Sequence, residues 1–163
     1  MAPLPVWALA LEKVVSGALQ GIVAAAVVFP LAVLIPATRV HLEIDWPLLL
    51  STTPLASLTG ASLGLTIGTR VQPNQVALMF SIIVIPITFL GATYYPWASL
   101  DAIPWLKWAV LANPLVYMSE AFRAALAPGF PHMPLPAVFA GMVIFTVALT
   151  VVGIDGFRRR VLA

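Results

Sequence analysis

Cysteine is absent from all 163 residues of the chain. Without a thiol there can be no disulfide bond, no cysteine nucleophile and no thiolate ligand for a metal ion. Every class of enzyme, redox protein or metal site that depends on a thiol is therefore excluded.

Charge is also scarce, because only 9% of the residues are Asp, Glu, Lys or Arg, against about 25% in a soluble globular protein. Hydrophobic residues make up 61% of the chain, and its mean hydropathy is +1.03. A soluble domain of this length needs more charge to cover its core. The sequence therefore predicts an integral membrane protein that contacts the lipid bilayer. Its net charge of +2 is too small for nucleic-acid binding.

Four apolar stretches contain no charged residue, and each is long enough to cross a hydrocarbon core of roughly 30 Å. They cover about residues 14–35, 48–68, 76–93 and 137–154. Pro30 and Pro86 lie inside the first and third stretches, where proline kinks a helix. We predict an all-α integral membrane fold, with four transmembrane helices in a single membrane domain over residues 1–163. No basic region precedes Lys13, so no cleaved leader is expected.

The segment at about 105–126 is mostly apolar but carries charge, so its position decides the orientation of the chain. With four spans both termini share one side, where five basic residues gather: Lys13, Arg70, Arg158, Arg159 and Arg160. The other side has three: Arg39, Lys107 and Arg123. A fifth crossing would reverse this count and oppose the positive-inside tendency. We therefore predict cytoplasmic termini, a cytoplasmic tail at 155–163, and a re-entrant hairpin of two short helices broken at Pro114.

In the segments predicted to lie on the outer side, only a few polar side chains are candidates for a functional site. Glu120 and Arg123 are three residues apart, so they can pair on one face of a helix. His132 lies alone in a proline-rich connector at 127–136. A lone loop histidine is usually solvated, so we predict no metal site.

Small residues recur every four positions in the first two spans: Gly17 and Gly21 in the first, and Ala56, Gly60, Gly64 and Gly68 in the second. Such stripes let helices approach closely in lipid. They can pack against each other within one subunit, or form a dimer seam or a sliding surface. The second span is also rich in Ser and Thr, which either line a pathway or bond back to helical carbonyls.

Titratable residues are absent from the four predicted spans, so an ion-coupled transporter has no obvious titrating centre. No phosphate-binding loop, no H-E-x-x-H motif and no paired intramembrane acids occur in the chain. We predict that the protein is not an enzyme. If it moves a substrate, the energy comes from another subunit.

Two motifs around the hairpin occur in a familiar order. The first contains Phe89, Gly91, Tyr95, Pro96 and Leu100, and the second contains Asn113, Pro114, Leu115, Tyr117, Glu120 and Arg123. Followed by a last span that closes in a basic tail, they resemble the C-terminal part of type-2 ABC exporter permeases. That family exports drugs, polysaccharides and lipid-linked molecules. The opening of the chain is similar to the family's cytoplasmic turn, so the resemblance extends from Ala2 to Val161.

The resemblance implies a permease of the plasma (inner) membrane that works with a separate ABC ATPase subunit and a second permease subunit, identical or different. ATP would be bound by the ATPase, and this chain itself would hold no cofactor. Pro3, Trp7 and Lys13 would lie in or beside the surface that contacts the ATPase. Five hairpin residues would form part of an outer gate: Asn113, Pro114, Tyr117, Glu120 and Arg123.

Family permeases usually carry six spans, and this chain would supply the last four. Two alternatives therefore stay open. In the first, the chain is an inactive fragment of a six-span permease. In the second, it is a small assembly or interaction protein of the membrane that has no transport activity.

Overall fold

The computed structural model describes residues 5–34 and 43–162. Within these ranges all regular structure is helical, which confirms the all-α prediction. The α-helices are α1 (Val6–Leu34), α2 (Trp46–Arg70), α3 (Val76–Met79), α4 (Ile85–Phe89), α5 (Pro104–Ala109), α6 (Pro114–Leu126) and α7 (Leu135–Leu162). Short 3-10 turns cover Pro73–Gln75, Trp97–Ala102 and Val110–Ala112, and a π-helical turn covers Phe80–Val84.

Three helices in the described part of the chain, α1, α2 and α7, are long and apolar enough to cross a membrane. They correspond to the first, second and fourth predicted spans. The third, at 76–93, does not form one long helix, because its helical turns from Pro73 to Phe89 change type at the π-helical turn before Pro86. Proline cannot donate to the carbonyl four residues earlier, so a regular α-helix is interrupted there. Helix length alone therefore does not confirm the count of four spans.

Helices α1 and α2 are antiparallel and meet through the small residues of α1. A Cβ atom placed on Gly17 would lie 3.1 Å from the Cβ of Ala61, and one placed on Gly21 would lie 3.0 Å from Ser57 Oγ. The missing side chains therefore let the two backbones approach closely, as small residues do in membrane helix pairs.

The two small-residue stripes do not face each other as the first of the sequence readings expected. On α2, Ala56 is buried, and a Cβ on Gly60 would meet only the end of Met118, 3.7 Å away. A Cβ on Gly64 or Gly68 would have no atom within 4 Å. Neighbouring helical residues point about 100° apart, so the glycines of α1 contact the adjacent face of α2.

Helices α2 and α7 are parallel and are joined by hydroxyl groups. Thr59 Oγ1 lies 2.7 Å from Thr146 Oγ1, and Ser62 Oγ lies 2.8 Å from Thr150 Oγ1. Thr59 and Ser62 are buried, and each also donates to the carbonyl four residues earlier in α2. These two hydroxyls therefore take part in the packing of α2 against α7 and also bond back to helical carbonyls. Residue numbers rise together along both helices, which establishes that they run in the same direction.

Replacing Thr59 with valine should weaken the α2–α7 contact by about 0.6 kcal/mol, the typical value of a hydrogen bond between membrane helices. Valine keeps the branched shape but lacks the hydroxyl. The midpoint of thermal unfolding in detergent measures the loss. Thr53→Val is the control, because Thr53 bonds only to Leu49 O of its own helix; an equal loss for both variants would contradict the interhelical role.

The parallel arrangement of α2 and α7 constrains the chain between them. Since α2 ends at Arg70 and α7 begins at Leu135, residues 71–134 must return from one end of the bundle to the other. The helical turns from Pro73 to Phe89 lead back to that other end, where Ile87 O accepts a hydrogen bond from Asn113 Nδ2 at 2.6 Å. The helices α5 and α6 therefore lie at the end opposite to the start of α1 and the end of α7.

Candidate functional site

The first turn of α6 is fixed by the residues of the second sequence motif. Asn113 caps the helix, because its Oδ1 accepts a hydrogen bond from Leu115 N at 3.0 Å, and Pro114 occupies the first turn, where no donor is needed. Through Nδ2 the same side chain also binds Ile87 O at the end of α4. Asn113 thus ties α4 to the start of α6, which a sequence motif alone does not reveal.

Glu120 is fully buried in the middle of α6, and its carboxylate accepts hydrogen bonds from three directions. Oε1 accepts from Trp97 N at 2.9 Å and from Arg123 Nη1, and Oε2 accepts from Met133 N at 2.7 Å. A buried charge is stable when it is paired and its oxygens have donors. Glu120 therefore joins three segments of the chain: the turn before α5, helix α6, and the connector before α7.

Arg123 completes this arrangement on the other side of the carboxylate. Its Nη2 donates to Ala92 O at 2.7 Å and to Tyr95 O at 3.1 Å, so one planar guanidinium holds a carboxylate and two carbonyls. Ala92 has φ 53°, a conformation that residues other than glycine seldom adopt. We call Glu120, Arg123 and the backbone of Ala92, Tyr95, Trp97 and Met133 the Glu120 junction.

Gly91 lies beside the Glu120 junction at the end of the turn that follows α4. A Cβ atom there would lie 2.7 Å from Leu115 Cβ and 2.9 Å from Ile87 O. Only glycine fits this approach without a shift of the backbone. The glycine of the first sequence motif is thus explained by the contact between the turn and α6.

Trp97 connects the Glu120 junction to α5. Its Nε1 donates to Lys107 O at 3.0 Å, and Lys107 Nζ lies 4.0 Å from the centre of the Trp97 ring while also pairing with Asp101. A cation above an indole face is attracted by the ring quadrupole. In the sequence this cluster is marked only by a lysine within a mostly apolar segment.

Tyr117 links α6 to α7. Its hydroxyl donates to Leu111 O at 3.1 Å, and its ring packs against Phe145, with 5.7 Å between the ring centres. Gly141 of α7 leaves the space that the ring occupies, since a Cβ there would lie 2.3 Å from two ring carbons. The five residues predicted to form the outer gate all occur on or next to α6: Asn113, Pro114, Tyr117, Glu120 and Arg123. Glu120 and Arg123 contact each other, whereas Asn113 and Tyr117 contact other segments.

The residues predicted to contact an ATPase lie at the opposite end of the bundle. Trp7 is 57% exposed, and Lys13 is exposed beside Glu12, with 3.8 Å between Nζ and Oε1. Pro3 lies outside the described residues. The end of α7 is at the same end of the bundle, where Arg70 and Arg159 both approach Asp155.

An apolar groove of about 560 Å³ lies between α1, α2 and α6. Its lining includes Phe29, Trp46, Leu50, Pro54 and Phe122. His132 is exposed, and its Nδ1 lies 2.9 Å from Met133 O. Within residues 5–34 and 43–162 no group of three His, Asp or Glu side chains could hold a metal ion. The groove therefore offers an apolar surface to a ligand.

Comparison with known proteins gives one match. The family profile described as ABC-2 type transporter matches residues 1–127, which is more than half of the chain. The match includes α1, α2 and every segment through α6. Neither the curated proteins nor the solved structures contain a match to the chain.

Proposed function

The chain belongs to the ABC-2 type transporter family, and on that premise we propose that it is the permease component of an ATP-driven exporter in the plasma membrane. As a member of this family it is a multi-pass membrane protein and a transport component. The observation that carries the proposal is that the two ends of the helix bundle differ in structure. A rigid hydrogen-bonded junction lies at one end of the bundle and an exposed aromatic and charged surface lies at the other.

We propose four membrane crossings, with both termini in the cytoplasm and α5–α6 as a re-entrant hairpin on the outer side. The parallel direction of α2 and α7 supports this topology, because residues 71–134 must return across the bundle between them. The helical turns from Pro73 to Phe89 cover 17 residues, or about 25 Å at 1.5 Å per residue. That length is close to the thickness of a thin hydrocarbon core.

In the proposed mechanism the ATPase subunit contacts the cytoplasmic end through Pro3, Trp7 and Lys13. ATP binding and hydrolysis move α1 against α2, whose close approach at the α1 glycines permits small sliding movements. The Glu120 junction keeps the outer hairpin together as one body, so the hairpin moves as a unit and acts as an outer gate. A second permease subunit completes the pathway, and ligand binding and ATP turnover shift the population between inward and outward states.

The apolar groove between α1, α2 and α6 supports a substrate that carries an apolar portion. Drug-like molecules and lipid-linked molecules fit this description, and a polysaccharide fits it if a lipid carries it. No side chain in the lining is charged, so recognition at this groove depends on shape and apolar contact.

Copurification with an ATPase tests the proposal. The chain is expressed in membranes with the ATPase encoded beside it and extracted in mild detergent. We expect the two to elute together with stimulated ATP hydrolysis. Absence of association from a well-folded chain would instead favour an assembly protein without transport activity. Association only after two further spans are added upstream would identify the chain as a part of a longer permease.

Replacing Trp7 with alanine should reduce ATPase copurification by about five- to thirty-fold, since a tryptophan at the centre of an interface typically contributes 1–2 kcal/mol or more. Trp105→Ala is the matched control, because Trp105 is 73% exposed but lies on α5 at the opposite end. The amount of ATPase retained on the tagged permease measures both variants. Equal retention by the Trp7 variant and the wild type would rule out Trp7 as a contact.

A further inference from the structure

Three consecutive arginines lie near the end of α7, and each has a different environment in the structure. Arg160 donates to the carbonyls of the last turn of α2, with 2.7 Å from Nη1 to Gly68 O, and a second bond reaches Val71 O. Arg159 pairs with Asp155, with 2.9 Å from Nε to Oδ2. Arg158 is exposed and has no hydrogen bond or ion pair with any residue in the described ranges.

Arg158 lies on the face of α7 that is turned away from the bundle. Ile144, Val147 and Val151 are all more than half exposed, and they precede Arg158 at intervals that keep one helical face. Val151 and Arg158 are seven residues apart, which returns the side chain to almost the same direction. This exposed apolar face is available to acyl chains, and the Arg158 side chain projects from it away from the other helices of the described part of the chain.

The depth of Arg158 matches the level of the lipid headgroups. The charge-free part of α7 ends at Ile154, and Arg158 follows four residues later, about 6 Å further along the helix axis. The polar layer on each side of the hydrocarbon core is about 5–8 Å thick. The guanidinium therefore reaches the phosphate layer. Val161, also exposed, follows one turn later.

The surrounding charge favours an anion at this position. Four arginines, Arg70, Arg158, Arg159 and Arg160, gather at this end of α2 and α7, and Asp155 is the acid that pairs with two of them. Because Asp155 is already shared by Arg70 and Arg159, it does not neutralise Arg158.

We propose that Arg158 forms a binding site for the phosphate of an anionic phospholipid, with the acyl chains lying along Ile144, Val147 and Val151. The planar guanidinium can donate two parallel hydrogen bonds to phosphate oxygens. The site is distinct from the apolar groove, because no residue of α7 lines that groove. An anionic lipid bound here holds the end of α7 at the membrane surface while Arg160 holds it to α2.

Lipid titration of the purified full chain, without any ATPase, tests this site. Phosphatidylglycerol and phosphatidylcholine with identical acyl chains are titrated into detergent solution, and bound lipid is counted by native mass spectrometry. We expect preferential binding of phosphatidylglycerol, and we expect Arg158→Gln to weaken it about five-fold without changing phosphatidylcholine binding. One basic residue near an anionic surface contributes about 1 kcal/mol, which is this factor.

Arg159→Gln is the matched control, because it removes the same charge one residue away from a side chain that is already paired. Arg159→Gln should leave phosphatidylglycerol binding almost unchanged. If Arg158→Gln folds poorly, Arg158→Lys is measured in its place and should retain part of the affinity. Equal losses of phosphatidylglycerol affinity for Arg158→Gln and Arg159→Gln would mean that the lipid is held by general electrostatic attraction, and they would overturn the proposal. Displacement of the lipid by millimolar inorganic phosphate would also overturn it, since the ligand would then be a free anion.

Discussion

Replacing Glu120 with alanine is expected to destabilise the protein by about 3–5 kcal/mol, the usual effect of removing one partner of a buried ion pair. The carboxylate is fully buried, so the variant leaves the amides of Trp97 and Met133 without an acceptor and part of Arg123 without its counter-charge. The midpoint of thermal unfolding in detergent, followed by size-exclusion fluorescence, measures the effect.

A charge-swapped double variant distinguishes a hydrogen-bonded junction from a simple ion pair. Glu120→Arg with Arg123→Glu restores opposite charges but places a donor against the donating amides of Trp97 and Met133. We expect no rescue. Glu12→Ala is the control for loss of an acid, since Glu12 is exposed and its pair with Lys13 contributes less than about 1 kcal/mol. Recovery of stability in the double variant would contradict the junction as we describe it.

Replacing Gly141 with alanine should destabilise the contact between α6 and α7 by about 1–3 kcal/mol, as overpacking of a closed contact does. The new Cβ would lie 2.3 Å from two carbons of the Tyr117 ring, so the helices must separate or the ring must leave its place. Thermal unfolding measures the loss, and the further change Tyr117→Leu should recover most of it because the ring is gone.

Gly64→Ala is the matched control for the preceding variant. Gly64 is also a glycine in a long helix, but a Cβ there would have no atom within 4 Å. Since alanine favours helix formation by up to about 1 kcal/mol relative to glycine, this variant should be neutral or slightly more stable. A loss for Gly64→Ala as large as that for Gly141→Ala would mean that both effects come from the backbone and not from Tyr117.

The long helices and the pairing of Glu120 with Arg123 could be predicted from the sequence for simple reasons. Charge-free stretches of membrane length form helices because every backbone polar group must be satisfied in lipid. Residues three apart on a helix lie on one face, and the structure places Arg123 Nη1 against Glu120 Oε1. Their role as an outer gate stays a prediction.

The full Glu120 junction could not be predicted, because its other donors are the backbone amides of Trp97 and Met133. Every residue except proline carries such an amide, so nothing in the sequence marks these two. They lie 23 and 13 residues from Glu120, and only the folded turn and connector bring them to the carboxylate.

The contacts of the small residues could not be predicted from the sequence either, because they depend on how α2 is rotated about its axis. Ser57 and Ala61, which contact the glycines of α1, are each one residue after Ala56 and Gly60 on α2. One residue changes the direction of a side chain by about 100°. The hydroxyls of Thr59 and Ser62 fix the rotation of α2 by bonding to α7. The spacing of the small residues does not indicate this rotation.

The topology of the membrane crossings is the central claim, and cysteine accessibility tests it most directly. The chain has no cysteine, so Asn74→Cys and Ser99→Cys each create a single exposed thiol on either side of the segment from Gln75 to Ala98. We predict that a membrane-impermeant maleimide labels the Ser99 variant on intact cells and labels the Asn74 variant only after permeabilisation. Labelling of both variants from the same side would contradict the account, because the segment between them would not cross the membrane.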